Sequence, residues 1–329
     1  MILRARHIVN ATGVFSEQVE AMTGLEPQVS VEPSKGVHLV LSRKDIGLGD
    51  EAIVLPETDD KRILFIVPWE TRAIYGTTDT GSGDLNHPTA SKEDVAYLLK
   101  HLNRYLSVNL TEADIISVYA GYRPLVSSRS SEHSTARLSR THAVLQSPAG
   151  LVSIVGGKLT TYRRMAQDTV DVLNRRDGAR PLHPTQHLPL LGSAGWPAAY
   201  TELQRKGTAL GLDAQIIEHL GMSYGTEAKA LLSMVENNAA SGERLIADLP
   251  YIRAEVAYVC RQEMAMTPYD VLGRRMPIVL VDQQRGLGII DEVVSIMAQE
   301  HNWSPLQQQS MSNDYRSLIE SQIACEQAM

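Results

Sequence analysis

The chain has 329 residues, 43% hydrophobic and 21% charged, with a formal net charge of −7. This is ordinary globular composition with room for two domains, and the acidic balance argues against nucleic acid as a partner. Two distant cysteines, Cys260 and Cys325, supply neither a disulfide framework nor a zinc spacing, so a reducing, cytoplasmic setting is expected and no metal site. No apolar run reaches the length of a membrane span.

In chain order, Arg6 to Asn10 reads as a strand that runs into a small-residue turn, Ala11-Thr12-Gly13, followed by a helix from about Ser16 to Met22. A strand, turn and helix in immediate succession belong in a doubly wound sheet. No Gly-x-Gly-x-x-Gly follows any strand, however, since Gly81-Ser82-Gly83 and Gly286-Leu287-Gly288 lack the third glycine. By itself Ala11-Thr12-Gly13 is a plain turn. Pro33-Ser34-Lys35-Gly36 then leads into an alternating strand, Val37 to Leu41, that carries His38. A single histidine in a strand is commonly structural. The runs 52–55, 62–69 and 73–78, with short polar breaks, predict an antiparallel meander. Ser91 to Asp94 is a capping sequence for a helix to about Leu106, with Val95, Leu98, Leu99 and Leu102 on one face.

Ile115 to Tyr122 is a further strand, and Arg123 at its end is followed by Pro124. An arginine so placed suits bidentate contact with an oxyanion or phosphate, or else a surface ion pair. Residues 127–140 are polar and turn-rich. Ala143 to Gln146 and Leu151 to Val155 predict a strand pair across Ser147-Pro148-Ala149-Gly150. The second of these strands ends in Gly156-Gly157 and opens into a helix over about 164–173. Glycine allows a ligand to touch the main chain there, and the helix start favours electron-rich atoms. Thr160 or Thr161 is the candidate cap. Leu159 follows Lys158 where a P-loop requires Ser or Thr, so a triphosphate loop is excluded. Beyond Arg176, prolines 181, 184 and 189 mark a linker. The remainder is helical, over about 198–210, 213–220, 226–237, 251–266, 288–300 and 305–325.

Several of these stretches, taken together, resemble the FAD-dependent, quinone-linked glycerol-3-phosphate dehydrogenases and their relatives the α-glycerophosphate oxidases. The motifs are Val9 to Gly13, Pro33 to His38, Tyr75 to Asp79, Ala120 to Leu125 and Gly156 to Arg163. In the helical half, Ala254 to Ala265 and Asp270 to Arg275 look like that family's C-terminal domain. The resemblance covers nearly the whole chain. It implies an α/β (α+β) fold: part of an FAD/NAD(P)-binding-type domain with an antiparallel substrate-domain sheet over 1–176, a linker over 177–195, and an all-α domain over 196–329. The family's first strand and Gly-rich pyrophosphate loop have no counterpart here, so the chain looks like the C-terminal two-thirds of such an enzyme.

The resemblance implies oxidation of sn-glycerol 3-phosphate to dihydroxyacetone phosphate, with hydride passing to flavin N5 and electrons to quinone. Ala11, Thr12 and Gly13 would face the adenosine and pyrophosphate side of FAD, and Gly156, Gly157, Lys158, Leu159, Thr160 and Thr161 the pyrimidine end of the flavin. Arg123, Arg140 and Lys158 would surround the substrate phosphate. His38 is the candidate base, and Arg123 an alternative stabiliser of the alkoxide. A membrane quinone implies peripheral contact with an inner membrane, mitochondrial in a eukaryote, and a homodimer is compatible with the family. The alternatives are a non-catalytic fragment, or a flavin oxidoreductase of the same superfamily acting on an amine.

Overall fold

The computed structural model describes residues 2–28, 30–81, 83–127 and 141–327. The first half holds β1 (Val9–Asn10), α1 (Ser16–Ala21), β2 (Ser30–Ser42), β3 (Ile53–Leu55), β4 (Leu64–Trp69), β5 (Arg72–Gly76), α2 (Lys92–Tyr105), β6 (Ile115–Ser127), β7 (Ala143–Gln146), β8 (Val152–Val155) and α3 (Tyr162–Arg176). The second half holds α4 (Ala198–Ala209), α5 (Ala214–Tyr224), α6 (Ala228–Asn237), α7 (Arg253–Gln262), α8 (Ile278–Val281), α9 (Ile290–His301) and α10 (Pro305–Gln327). This is the mixed α/β half followed by a helical half that the sequence predicts.

Two sheets form, one of three strands in the order β1-β8-β7 and one of five in the order β3-β4-β5-β2-β6. β1 runs parallel to β8 with Val9 opposite Val152, and β7 pairs antiparallel with β8. The meander β3-β4-β5 is antiparallel throughout, as its short polar breaks require. β2 is longer than expected. Pro33 to Gly36 lies within it because Lys35 exchanges backbone hydrogen bonds with Thr80, which prolongs the ladder past the end of β5.

The chain divides into two compact units, each discontinuous in sequence. One comprises Met1–Val37, Thr77–Thr89 and Ala120–Leu188; the other His38–Gly76, Ala90–Tyr119 and Pro189–Met329. The first contains the three-stranded sheet and α3. The second has a large core in which Leu220, Leu231, Val259, Leu272, Met297 and Ile319 are buried together. Within it α2 starts at the predicted capping box: Ser91 Oγ accepts from Asp94 N–H, and Asp94 accepts from Ser91 N–H. Leu98, Leu99 and Leu102 are buried, and Tyr75 donates to the Leu98 carbonyl at 3.0 Å.

One helical expectation needs correction, and two short elements are additional. The helix expected over 251–266 covers only Arg253–Gln262, because Met264 takes a left-handed φ of 54° that α-helix cannot continue through. A π-helical turn, Asp270–Arg275, and the four-residue α8 were not expected. The run Ile278 to Val281 is short and apolar, so it carries no period that distinguishes helix from strand.

Candidate active site

In the first unit, β1 and β8 are parallel and adjacent, so the turns that follow their C-terminal ends leave the sheet at the same edge. That edge is where open α/β sheets bind ligands. Asn10, 1% exposed, builds the first turn. Its Nδ2 donates to the Ser16 carbonyl at 2.9 Å and to Ser153 Oγ at 3.3 Å. Its Oδ1 accepts from Thr12 Oγ1 at 2.6 Å and from Thr12 N–H at 3.3 Å. The turn is thereby locked with Ala11 and Thr12 exposed and Gly13 at a φ of 59°. Ser16 Oγ is buried with no hydrogen-bond partner among the described residues.

The second turn depends on glycine for two reasons. Gly156 and Gly157 take φ of 72° and 79°. A Cβ on Gly157 would also stand 2.6 Å from Met165 Sδ and 3.1 Å from His142 Cβ. Lys158, Leu159, Thr160 and Thr161 follow as a tight turn ahead of α3, and the Leu159 side chain projects outward, 87% exposed. The expected threonine cap on α3 does not form. Thr161 Oγ1 turns back instead, donating to the Lys158 carbonyl at 2.9 Å and accepting from Lys158 N–H at 3.3 Å. Below this turn His142 Nε2 meets Asp168 at 2.9 Å. Burial opposes ionisation of Asp168, yet hydrogen bonds from His142 and Arg164 hold its carboxyl below the usual carboxylate range.

Arg123 also lies in the first unit. Its Nη2 donates to Thr77 Oγ1 at 3.1 Å and to the Thr78 carbonyl at 3.2 Å, and its Nη1 stands 3.9 Å from Asp79. The guanidinium packs against Gly36, where a Cβ would be 2.5 Å from Nη2. Arg123 thus faces a carboxylate, and its side chain is 39% exposed. His38 lies in the second unit, opposite Gly76 in the sheet, with its ring stacked on Tyr119 at 4.9 Å and 12°. Burial pushes the Tyr119 hydroxyl up. Arg140 falls outside the described residues.

Sequence reasoning missed the parts that hold these groups. Asn10, Ser34, Thr77 and Asp79 lie inside the motifs quoted above, but their roles depend on partners in other segments, which the motifs do not name. It also missed Glu70, His219 and Glu255 in the second unit, where the imidazole lies between two carboxylates at 2.7 and 2.8 Å. Among the described residues no His, Cys, Asp and Glu are grouped to hold a metal ion, and no helix is long and apolar enough to cross a membrane.

Residues 2–163 match the family described as FAD dependent oxidoreductase, and residues 183–308 the C-terminal domain of alpha-glycerophosphate oxidase. The chain is 36% identical over 327 residues to glycerol-3-phosphate dehydrogenase 2 of Mycobacterium tuberculosis, covering 98% of this chain and 54% of that protein. It is 36% identical over 320 residues to the mitochondrial glycerol-3-phosphate dehydrogenase of Mus musculus, covering 93% and 42%. The chain belongs to the FAD-dependent glycerol-3-phosphate dehydrogenase family.

The fold agrees with that of the glycerol-3-phosphate dehydrogenase of Bacillus halodurans, solved in complex with FAD, at a TM-score of 0.81 and 28% identity over 97% of this chain and 62% of that one. This chain spans about half the length of the curated dehydrogenases it matches. FAD is the cofactor of the family. The residues here fit such a group: two backbone turns at the C-terminal edge of parallel strands are free of bulky side chains at Ala11, Gly13, Gly156 and Gly157, and the orphan Ser16 hydroxyl lies by the first.

Proposed function

We propose that this chain carries the substrate-facing and part of the flavin-facing machinery of an FAD-dependent sn-glycerol 3-phosphate:quinone oxidoreductase producing dihydroxyacetone phosphate. The observation that supports it most is Arg123, fixed by Thr77 and Thr78 over the bare Gly36, with 39% of its side chain exposed although Nη1 itself is buried. A dianionic substrate suits a planar, pre-oriented cation. Arg123, Arg140 and Lys158 bind and orient the phosphate. His38 takes the proton from the C2 hydroxyl as the carbonyl forms, and Arg123 stabilises charge on that oxygen. FAD, when bound, supplies the acceptor for the hydride that leaves C2. The backbone of 11–13 and of 156–161 holds it, the latter with a helix start behind it. Quinone as acceptor, peripheral contact with an inner membrane, and a homodimer rest on the family resemblance.

Visible absorbance of the purified chain, with and without added FAD, tests this reading. A flavin spectrum that bleaches on addition of glycerol 3-phosphate is the expected result. A folded chain that takes up no flavin would leave a non-catalytic fragment as the better description. Bleaching by an amine and not by glycerol 3-phosphate would reassign the substrate.

A further inference from the structure

Two separate segments converge on the Arg123 guanidinium, β2 at Gly36 and the run Thr77-Thr78-Asp79. Gly36 of β2 lies beneath it, Thr77 and Thr78 take both hydrogens of Nη2, and Asp79 faces Nη1 at 3.9 Å. Asp79 is itself tied down, because Ser34 Oγ, 7% exposed, donates to the same carboxylate oxygen that faces Arg123. We propose that Asp79, held by Ser34, is the positioning residue for Arg123. The proposal rests on the reading of Arg123 as the ligand of the substrate's anionic oxygen.

The physical argument concerns the freedom of a long side chain. Arginine carries about 2 kcal/mol of rotamer entropy, and its selectivity for oxyanions depends on presenting the guanidinium fork in one plane. Two hydrogen bonds from Nη2 hold one corner of that plane at 3.1 and 3.2 Å. A fixed negative charge beside Nη1 supplies the second point. The two side chains are 39% and 50% exposed, so the pair contributes little to folding. Its consequence is orientation. The same geometry explains why β2 carries glycine at 36, since any side chain there would push the guanidinium off its two threonines.

The test uses the full chain and two independent readouts. In the wild type, the Nη resonances of Arg123 in 15N NMR are expected as separate lines, reporting slow guanidinium rotation. Asp79→Asn preserves shape and removes the charge. It is expected to merge those lines, to leave the melting temperature near that of the wild type, and to weaken glycerol 3-phosphate binding by calorimetry about tenfold, a typical coupling for contacting residues. Asp79→Glu is expected to recover part of the loss. The double variant with Arg123→Lys is expected to bind no more weakly than Arg123→Lys alone, because Asp79 acts only through the guanidinium. Unchanged Nη lines in Asp79→Asn, or losses that multiply in the double variant, would overturn the proposal. A wild-type chain that binds no glycerol 3-phosphate overturns the anion-site reading, and the Nη lines then decide the positioning by themselves.

Discussion

The Nε2 of His219 lies 2.8 Å from Oε2 of Glu255, and both side chains are buried. On the other side of the ring, Nδ1 is 2.7 Å from Glu70. With a carboxylate at each nitrogen the imidazole donates twice and is held as the cation. Glu255 also accepts from Tyr224 and from the Ile252 N–H, and Glu70 from Tyr251, so the buried charges are hydrogen-bonded on every side. Burial and the neighbouring carboxylates push the Tyr224 and Tyr251 hydroxyls up, which keeps both as donors. Glu70 occupies the β4–β5 turn at a left-handed φ of 52°, a conformation that costs energy for a side chain of its size.

This arrangement fixes a pH dependence. Burial lowers the His219 pKa, but the Glu255 and Glu70 carboxylates outweigh it and raise it from 6.5 to about 10. A group whose folded pKa is raised gives stability that is complete below its unfolded pKa and is lost as pH rises through its folded one. The contribution of His219 is thus complete below about pH 6.5 and disappears as pH climbs towards 10. The His219 ring resonances are expected to stay fixed from pH 5 to about 8 and to move only above that. Titration near the ordinary histidine value would refute the doubly bonded cation.

Glu255→Gln keeps the size of the side chain and removes its charge. The imidazolium is left with one carboxylate in a buried site, at a cost of about 3 kcal/mol in urea unfolding. Equal stability of the variant and the wild type would show that the Glu255 charge contributes nothing to the hold on His219.

Gly157 and Gly178 separate two causes of glycine dependence. Both have left-handed φ, 79° and 67°, but only Gly157 has neighbours within 4 Å of a built Cβ. Gly178→Ala is expected to cost about 1 kcal/mol of unfolding free energy, and Gly157→Ala about 2 kcal/mol or more, since Met165 and His142 must also move. Gly157→Ala should in addition lower FAD uptake, which Gly178→Ala should not. Equal costs at the two positions would remove the packing argument.

Gly36→Ala tests the seat of Arg123 from below. Its new methyl group meets the far ends of flexible side chains, Arg123 Nη2 and Thr77 Oγ1, which are able to swing away. Stability is expected to fall by less than about 1 kcal/mol, whereas glycerol 3-phosphate binding falls by about tenfold or more. Loss of folding and binding in equal measure would mean that Gly36 serves the strand and not the arginine.

Much of the fold was legible before any coordinates. Ser91 and Asp94 announced the start of α2, Leu98 and Leu102 its buried face, and Gly156-Gly157 the turn into α3, because capping and periodicity act over a few residues. The cap at Thr161 escapes a local reading because its hydroxyl oxygen can accept from an amide of α3 or from one in the turn before it, and the turn geometry selects Lys158 N–H.

Sequence by itself determined the order of the elements, the change from mixed sheet to helix, and the motifs that place the chain in its family. Tertiary structure alone decided that Asp79 faces Arg123, that Gly36 must be bare beneath it, and that His219 joins Glu70 and Glu255 across sequence separations of 149 and 36 residues. The reason is range. Backbone hydrogen bonding and side-chain period repeat within about four residues, whereas a buried charge can be satisfied by any residue the topology delivers, and nothing in its own neighbourhood says which.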